Sequence, residues 1–206
     1  GVDNRVEASS RGNIARGEIR INSLNRNAFP EKGKRIHILH ETYYNQTISS
    51  GIFDYAASGL ILNPADPVPE PPAFFHSMRL SAEGYANRGR FTTMLHLQAG
   101  QQFNTDAGLL NYFRVGGDVR VIEHQFLFTG LQEHTVNSTS IAAATYGLQY
   151  RLGSSFYAQL KGSLGYRDIY VDEDFNLNQR ISGVSATLGN LSVIGPASVS
   201  LFVNTE

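Results

Sequence analysis

Residues 144–166 hold two runs of strict alternation joined by a short break, and that pattern fits only extended chain. Ala144, Tyr146, Leu148, Tyr150 and Leu152 alternate with Thr145, Gly147, Gln149 and Arg151. Beyond Gly153-Ser154-Ser155, Phe156, Ala158, Leu160, Gly162, Leu164 and Tyr166 oppose Tyr157, Gln159, Lys161, Ser163 and Arg167. Successive side chains of a strand point to opposite faces, so period two makes a ribbon with one apolar and one polar side. The same rhythm runs through Leu80, Ala82 and Gly84 against Arg79, Ser81 and Glu83. After the turn at Asn87-Arg88-Gly89-Arg90 it returns in Phe91, Thr93, Leu95, Leu97 and Ala99 against Thr92, Met94, His96 and Gln98. Shorter pieces recur at Ala15–Ile21, Ile36–Ile38, Val184–Leu188 and Ala197–Val203, while Leu39 and His40 break the rhythm. No stretch carries a helical period.

Eight strands are therefore expected, near 14–21, 34–44, 78–86, 91–101, 141–152, 156–167, 181–189 and 197–203, forming one segment over 1–206. The links between them alternate in length. Those at 22–33, 87–90, 153–155 and 190–196 are short; those at 45–77, 102–140 and 168–180 are long. In an up-and-down meander successive links fall on opposite ends, so one end is trimmed and the other elaborated. Tight turns at one end and long loops at the other are the habit of outer-membrane barrels. A soluble β-sandwich also alternates, but its links have no reason to keep this order, and loops so long are uncommon in compact domains.

Composition agrees with the barrel. Charged residues are 17% of the chain, below the roughly 25% of soluble domains. Hydrophobic residues are only 41%, with no run approaching the roughly 20 apolar residues of a membrane helix. A barrel dilutes its lipid-facing residues one-to-one with inward ones, which satisfies both observations. The 17 basic and 18 acidic residues nearly cancel, so charge gives no pointer to nucleic acid. Aromatics gather near strand ends: Tyr85, Phe91, Tyr150 and Phe156 beside short turns, Tyr43, Tyr44, Phe103, Tyr166 and Tyr170 toward the other end. Membrane–water interfaces select such girdles.

Two stretches carry a resemblance. Asn22-Ser-Leu24-Asn-Arg26-Asn-Ala-Phe29-Pro30-Glu-Lys-Gly33 resembles the N-x-L-(N/D)-R-x-x-F-P-x-x-G turn of the sixteen-stranded outer-membrane barrel superfamily. That superfamily includes the Bam assembly insertase, two-partner-secretion transporters and barrels attached to patatin-like phospholipases. Tyr112-Phe113-Arg-Val-Gly116-Gly117, with Val119 and Arg120 after it, is similar to the F-x-x-G-G element opening that superfamily's inward-folded sixth loop. Leu191–Ser200 also looks like its turn into the penultimate strand. The matches follow family order and imply strands eight to fifteen of the barrel, with the final strand absent. In the insertase and secretion families a V-R-G-F/Y tip follows; here Val119-Arg120 runs into Val121-Ile122. That departure makes the chain most like the barrels of Bacteroidota patatin-like phospholipases.

The resemblance implies an all-β, antiparallel up-and-down transmembrane barrel in a bacterial outer membrane. It would be non-catalytic in itself, anchoring or exporting an N-terminal patatin-like hydrolase. An assembly or secretion barrel of the same superfamily and a soluble β-sandwich binding module are the alternatives. The partners implied are the lipid bilayer and the rest of the same chain, its missing strands and N-terminal domain; a homodimer is compatible, and nucleic acid is not a partner. The chain opens at Gly1 without a signal peptide and is expected to be a piece of a longer one.

Chemistry is sparse. There is no G-x-S-x-G elbow and no phosphate loop, and the absence of cysteine excludes disulfides and thiolate zinc. His37 and His40 fall on opposite faces of a strand, which makes a poor metal pair. No catalytic residue, metal or cofactor is expected. A serine–histidine pair on the wall is conceivable, but nothing in the sequence joins a given serine to a given histidine. Arg16, Glu18, Arg20, Glu83, Gln149, Arg151 and Lys161 should face the interior, where mixed charge favours ion pairs or water over an apolar cavity. The inward loop is expected to bring Phe113–Arg120 inside, with Arg120 against Glu83 or Glu18.

Overall fold

The computed structural model describes residues 8–50, 74–103, 112–117, 125–132, 136–171, 174–175, 177–192 and 195–205. In chain order the strands are β1 (Ala8–Asn22), β2 (Gly33–Ser50), β3 (Phe74–Arg88), β4 (Phe91–Phe103), β5 (Phe113–Val115), β6 (Gln125–Phe126) and β7 (Val136–Ser138). They continue with β8 (Ser140–Arg151), β9 (Phe156–Arg167), β10 (Tyr170–Val171), β11 (Asp174–Phe175), β12 (Arg180–Ser192) and β13 (Gly195–Thr205). Eight of them form one antiparallel meander in the order β1-β2-β3-β4-β8-β9-β12-β13. β10 and β11 make a small hairpin inside the 168–180 link, and β6-β5-β7 make a separate sheet inside the longest loop. No helix occurs among the described residues.

The fold is thus all-β and up-and-down, as the alternation demands. Strand bounds differ most at β1, which starts at Ala8, and at β2 and β3, which reach Ser50 and Phe74 where the sequence reading placed link. Ordinary alternation fades there, so sequence had no signal with which to extend them. The rhythm apparently broken at Leu39 and His40 is intact in phase: Leu39 is buried on one face and His40 exposed on the other. The chemistry of the two positions is inverted, not their geometry.

Register shows how the strands lean. A line of paired residues crosses the sheet through Gly33, Tyr85, Met94, Gly147, Lys161 and Ser185. At the short-turn end β2 stops on this line at Gly33, β3 runs on to Arg88, β8 to Arg151 and β12 to Ser192. The other end recedes in the same sense, from Phe74 in β3 to Ser140 in β8 and Arg180 in β12. The stagger is roughly six residues, about 20 Å, over five strand spacings, about 24 Å. Strands whose turns share one level therefore lean by roughly 40°, the tilt that closed barrels need.

The sheet also curls. In the 22–33 turn, Ser23 N donates to Lys34 O (2.8 Å) and Asn25 N to Lys32 O (3.1 Å), leaving a short tip. Gly33 closes it at φ 105, where a Cβ would stand 2.1 Å from Ser23 O. Phe29 at this tip stacks on Tyr157 of β9, with centroids 5.1 Å apart, and lies over Gly189 of β12. On a flat sheet β12 would be roughly 24 Å from β2, beyond the reach of that tip. The contact requires that the face carrying it be concave.

The main apolar cluster sits on this concave face, between it and the folded-in loop. Phe113, Val115, Phe126, Phe128, Leu131 and Val136 of the loop pack with Ile141, Ala143 and Ile181 of the sheet. Glycines mark where the loop touches the wall. A Cβ at Gly100 would come 2.4 Å from Phe126 Cζ, one at Gly165 3.0 Å from Phe128 Cε2, and one at Gly183 2.2 Å from Thr129 O. On the opposite face, Gly17, Gly84 and Gly162 have nothing within 4 Å of an added Cβ.

Candidate functional site

The outer, convex face carries the apolar half of every alternating strand. Leu95, Leu148, Leu160 and Leu164 are 46%, 43%, 55% and 41% exposed, and Ile19, Val184, Leu188, Val199 and Leu201 share their face. Exposure on this scale is not scattered surface leucine; it is a continuous band across eight strands. A sandwich would have packed these same side chains between two sheets.

Aromatic rings bound the band. Phe91 and Tyr150 meet at the short-turn end with centroids 4.8 Å apart, and Phe156 is exposed at the same end of β9. Tyr44, Phe74 and Phe103 mark the other end. Along β9, Phe156 to Tyr166 spans about 33 Å, or about 25 Å once leaned by roughly 40°; outer-membrane barrels show an apolar band about 25 Å tall. Two girdle members are corrected by parity. Tyr85 points inward and donates to Glu83 (2.8 Å), and Tyr43 points inward to Glu41 and stacks on Phe75. Tyr170's side chain lies outside the described residues. Near the long-loop end the outer face turns polar, where His40 and His76 stack and Thr42 meets His76.

The inner face pairs its charges. Glu41 is fully buried between Arg16 (2.6 Å), Arg79 (3.1 Å) and the Tyr43 hydroxyl. Glu18 takes Arg20 and His37, Glu83 takes Arg35 (3.1 Å), and Gln149 accepts from Gln159 (2.6 Å). Lys161 stands half-buried on the same face. A carboxylate as buried as Glu41 is tolerated only when compensated in this way. His37 and His40 do lie on opposite faces, and the described residues contain no cluster able to hold a metal.

Two chain segments cover this face. From the short-turn end comes the 22–33 tip. Leu24 N is held by Asn22 Oδ1, Arg26 reaches the Tyr157 hydroxyl and Glu31 (2.9 Å), and Glu31 also takes Arg151 (3.3 Å). Pro30 O accepts from Gln149. Asn25, at the (N/D) position of the motif, organises the turn: its Oδ1 accepts from both Glu31 N and Lys32 N at 3.0 Å. From the long-loop end comes β5–β7. Gly116 and Gly117, at φ 129 and 79, turn the chain so that Gly116 N donates to Phe126 O and Phe128 N to Gly117 O. Gln98 of β4 treats Leu127 as a strand neighbour, donating to its carbonyl (2.6 Å) and accepting from its N–H (3.2 Å).

Phe113 to Gly117 therefore lies against the inner face. Val119 and Arg120 fall outside the described residues, and both carboxylates expected for Arg120 already hold other cations. Against β4, β8, β9 and β12 loop side chains fill the space left by the glycines, and an apolar, ring-rich cluster packs on the inner face.

Register also joins a serine to a histidine that sequence left apart: Ser81 Oγ lies 2.9 Å from His96 Nε2. The cleft beside Ser81, lined by Arg79, Gln98, Gln125 and Phe126, holds about 10 Å³, room for about one water. A cleft of that size does not hold an acyl chain. No protein-family model matches the chain, and no curated protein matches it either.

Proposed function

We propose that this chain is a stretch of transmembrane β-barrel wall in a bacterial outer membrane, non-catalytic in itself, from a barrel that anchors or exports an N-terminal patatin-like lipid hydrolase. The observation that carries the membrane reading is the exposed apolar band, about 25 Å tall, bounded by aromatics at both ends. In water, so much contiguous apolar surface would drive aggregation; against lipid tails it is at home. The patatin attachment rests on the Asn22–Gly33 turn and on the Val119-Arg120-Val121-Ile122 departure from the V-R-G-F/Y tip.

This segment has no tryptophan, so once any tryptophans elsewhere in the full-length protein are replaced by phenylalanine, a single introduced one reports its own surroundings. In the full-length protein reconstituted with brominated lipid, Leu160→Trp fluorescence should be quenched and Lys161→Trp fluorescence spared. Equal quenching, or none at either site, refutes the membrane-facing assignment. Translation of the gene upstream of Gly1 separates the patatin reading, a Ser–Asp hydrolase domain, from an assembly or secretion barrel preceded by small periplasmic repeats.

A further inference from the structure

Most cations among the described residues fall into two groups, with Arg114, Lys161, Arg167 and Arg180 outside both. On the concave side Arg16, Arg20, Arg26, Arg35, Arg79 and Arg151 each hold a carboxylate. At the short-turn end of the outer side, Lys34, Arg88 and Arg90 are exposed and have no ion-pair partner among the described residues, as is also true of the neighbouring Lys32. Lys34 and Arg88 point outward by strand parity, since their partners Gly84 and Phe91 lie on the outer face. Both carboxylates of that end, Glu31 and Glu83, are turned inward and paired. Among the described residues no exposed acid remains there to neutralise the rim.

Lys34 pairs with Gly84, four residues short of Arg88 along β3, so it sits deeper in the sheet than Arg88 and Arg90 but on the outer face of the same end. Lys34 lies one residue from the end of β2, Arg88 closes β3, and Arg90 sits in the next turn. Phe91 pairs directly with Arg88 and touches Tyr150. A ring at the edge of an apolar band beside an unpaired guanidinium is the arrangement that places a cation among lipid headgroups. The opposite end differs, with Asp168, Asp172, Glu173 and Asp174 crowded into its 168–180 link.

We propose that the rim formed by Lys34, Arg88 and Arg90 binds the phosphate groups of anionic phospholipids in the leaflet on the short-turn side. The proposal rests on the membrane reading above and adds a headgroup preference to it. Each rim cation contributes independently through its proximity to the charged surface, and the attraction falls as salt screens it.

The test counts lipids retained by the full-length protein in native mass spectrometry, from micelles holding equal phosphatidylglycerol and phosphatidylcholine. The wild type should retain phosphatidylglycerol in excess. Arg88→Gln with Arg90→Gln should cut that excess about tenfold at low salt. Arg114→Gln with Arg180→Gln removes the same charge elsewhere and should leave the excess intact. An unchanged ratio in the rim variant, or an equal fall in the control, overturns the proposal. So does competition by free glycerol phosphate as strong as that of the lipid. Insertion into pure phosphatidylcholine vesicles without any phosphatidylglycerol preference removes the rim alone, whereas failure to insert anywhere removes the membrane reading as well.

Discussion

Adding one methyl group at Gly183 should loosen the inward loop without disturbing the sheet that carries it. The new Cβ would lie 2.2 Å from Thr129 O and 2.9 Å from Gly130 Cα, both backbone atoms that cannot swing aside. The loop must shift away from β12 or the strand must bow, and overpacking of this kind costs about 1–3 kcal/mol. The loop is held by the Phe113–Phe128 cluster and by Gln98, so it opens locally before the sheet unravels. A loss of about 1–2 kcal/mol raises an open population roughly 5- to 30-fold. Hydrogen exchange at Gly116, Gly117 and Phe128, whose amides are bonded within the loop, reads that population directly. The matched control is Gly162→Ala on the adjacent strand, where nothing lies within 4 Å. Exchange should quicken in Gly183→Ala by that factor and stay unchanged in Gly162→Ala, with the amides of β8 and β9 unaffected in both. Equal exchange in the two variants would mean that the loop does not rest on the glycine wall.

Other perturbations follow from the two faces. Leu160→Arg should lower stability in bilayers by about 2–4 kcal/mol, while Lys161→Leu stays within about 1 kcal/mol; comparable losses in denaturant-folding titrations would contradict the alternation. Glu41→Gln removes the buried carboxylate shared by Arg79 and the partly exposed Arg16 and should cost about 1.5–3 kcal/mol, read as a lower unfolding temperature by circular dichroism. Gln98→Leu removes both bonds to Leu127 and should cost about 1–3 kcal/mol, seen as proteolysis of the loop under conditions where wild type is resistant.

Much of the wall was legible in the amino-acid order. Parity alone assigned Leu95, Leu148 and Leu160 to one face and Gln149, Arg151 and Lys161 to the other, because period two is a local property of extended chain. Partners across strands were not legible. Ser81 meets His96 and Glu41 meets Arg79 only through a register that turn geometry fixes. The girdle shows the same limit: Tyr85 and Phe91 both flank a turn, but one residue of parity sends the first to Glu83 and the second to the outer rim. The mixed charge of the inner face pointed to ion pairs or water, and the ion pairs are there; the aromatic cluster was not legible, since Gly100, Gly165 and Gly183 look like weak strand positions until the rings that occupy their space are known. Phe113–Gly117 packs on the inner face, but the residues that dock it, Gln98 and the wall glycines, belong to no motif.

The 22–33 tip makes contacts far along the chain: Arg26 with Tyr157 and Glu31 with Arg151 join residues well over a hundred positions apart. Loops of that span close late, since their entropy is lost before any contact compensates it. Phe29 has nothing to stack on until β9 is in place and no groove at Gly189 until β12 has curled beside it. A residue near the start of the segment thus waits for strands near its end, and its seating is an event that only a sheet of nearly full width permits. A tip dislodged by mutation would leave the early hairpins able to form and would slow the final step alone, so that the population accumulating during refolding would be a sheet with correct strand pairs and an empty concave side.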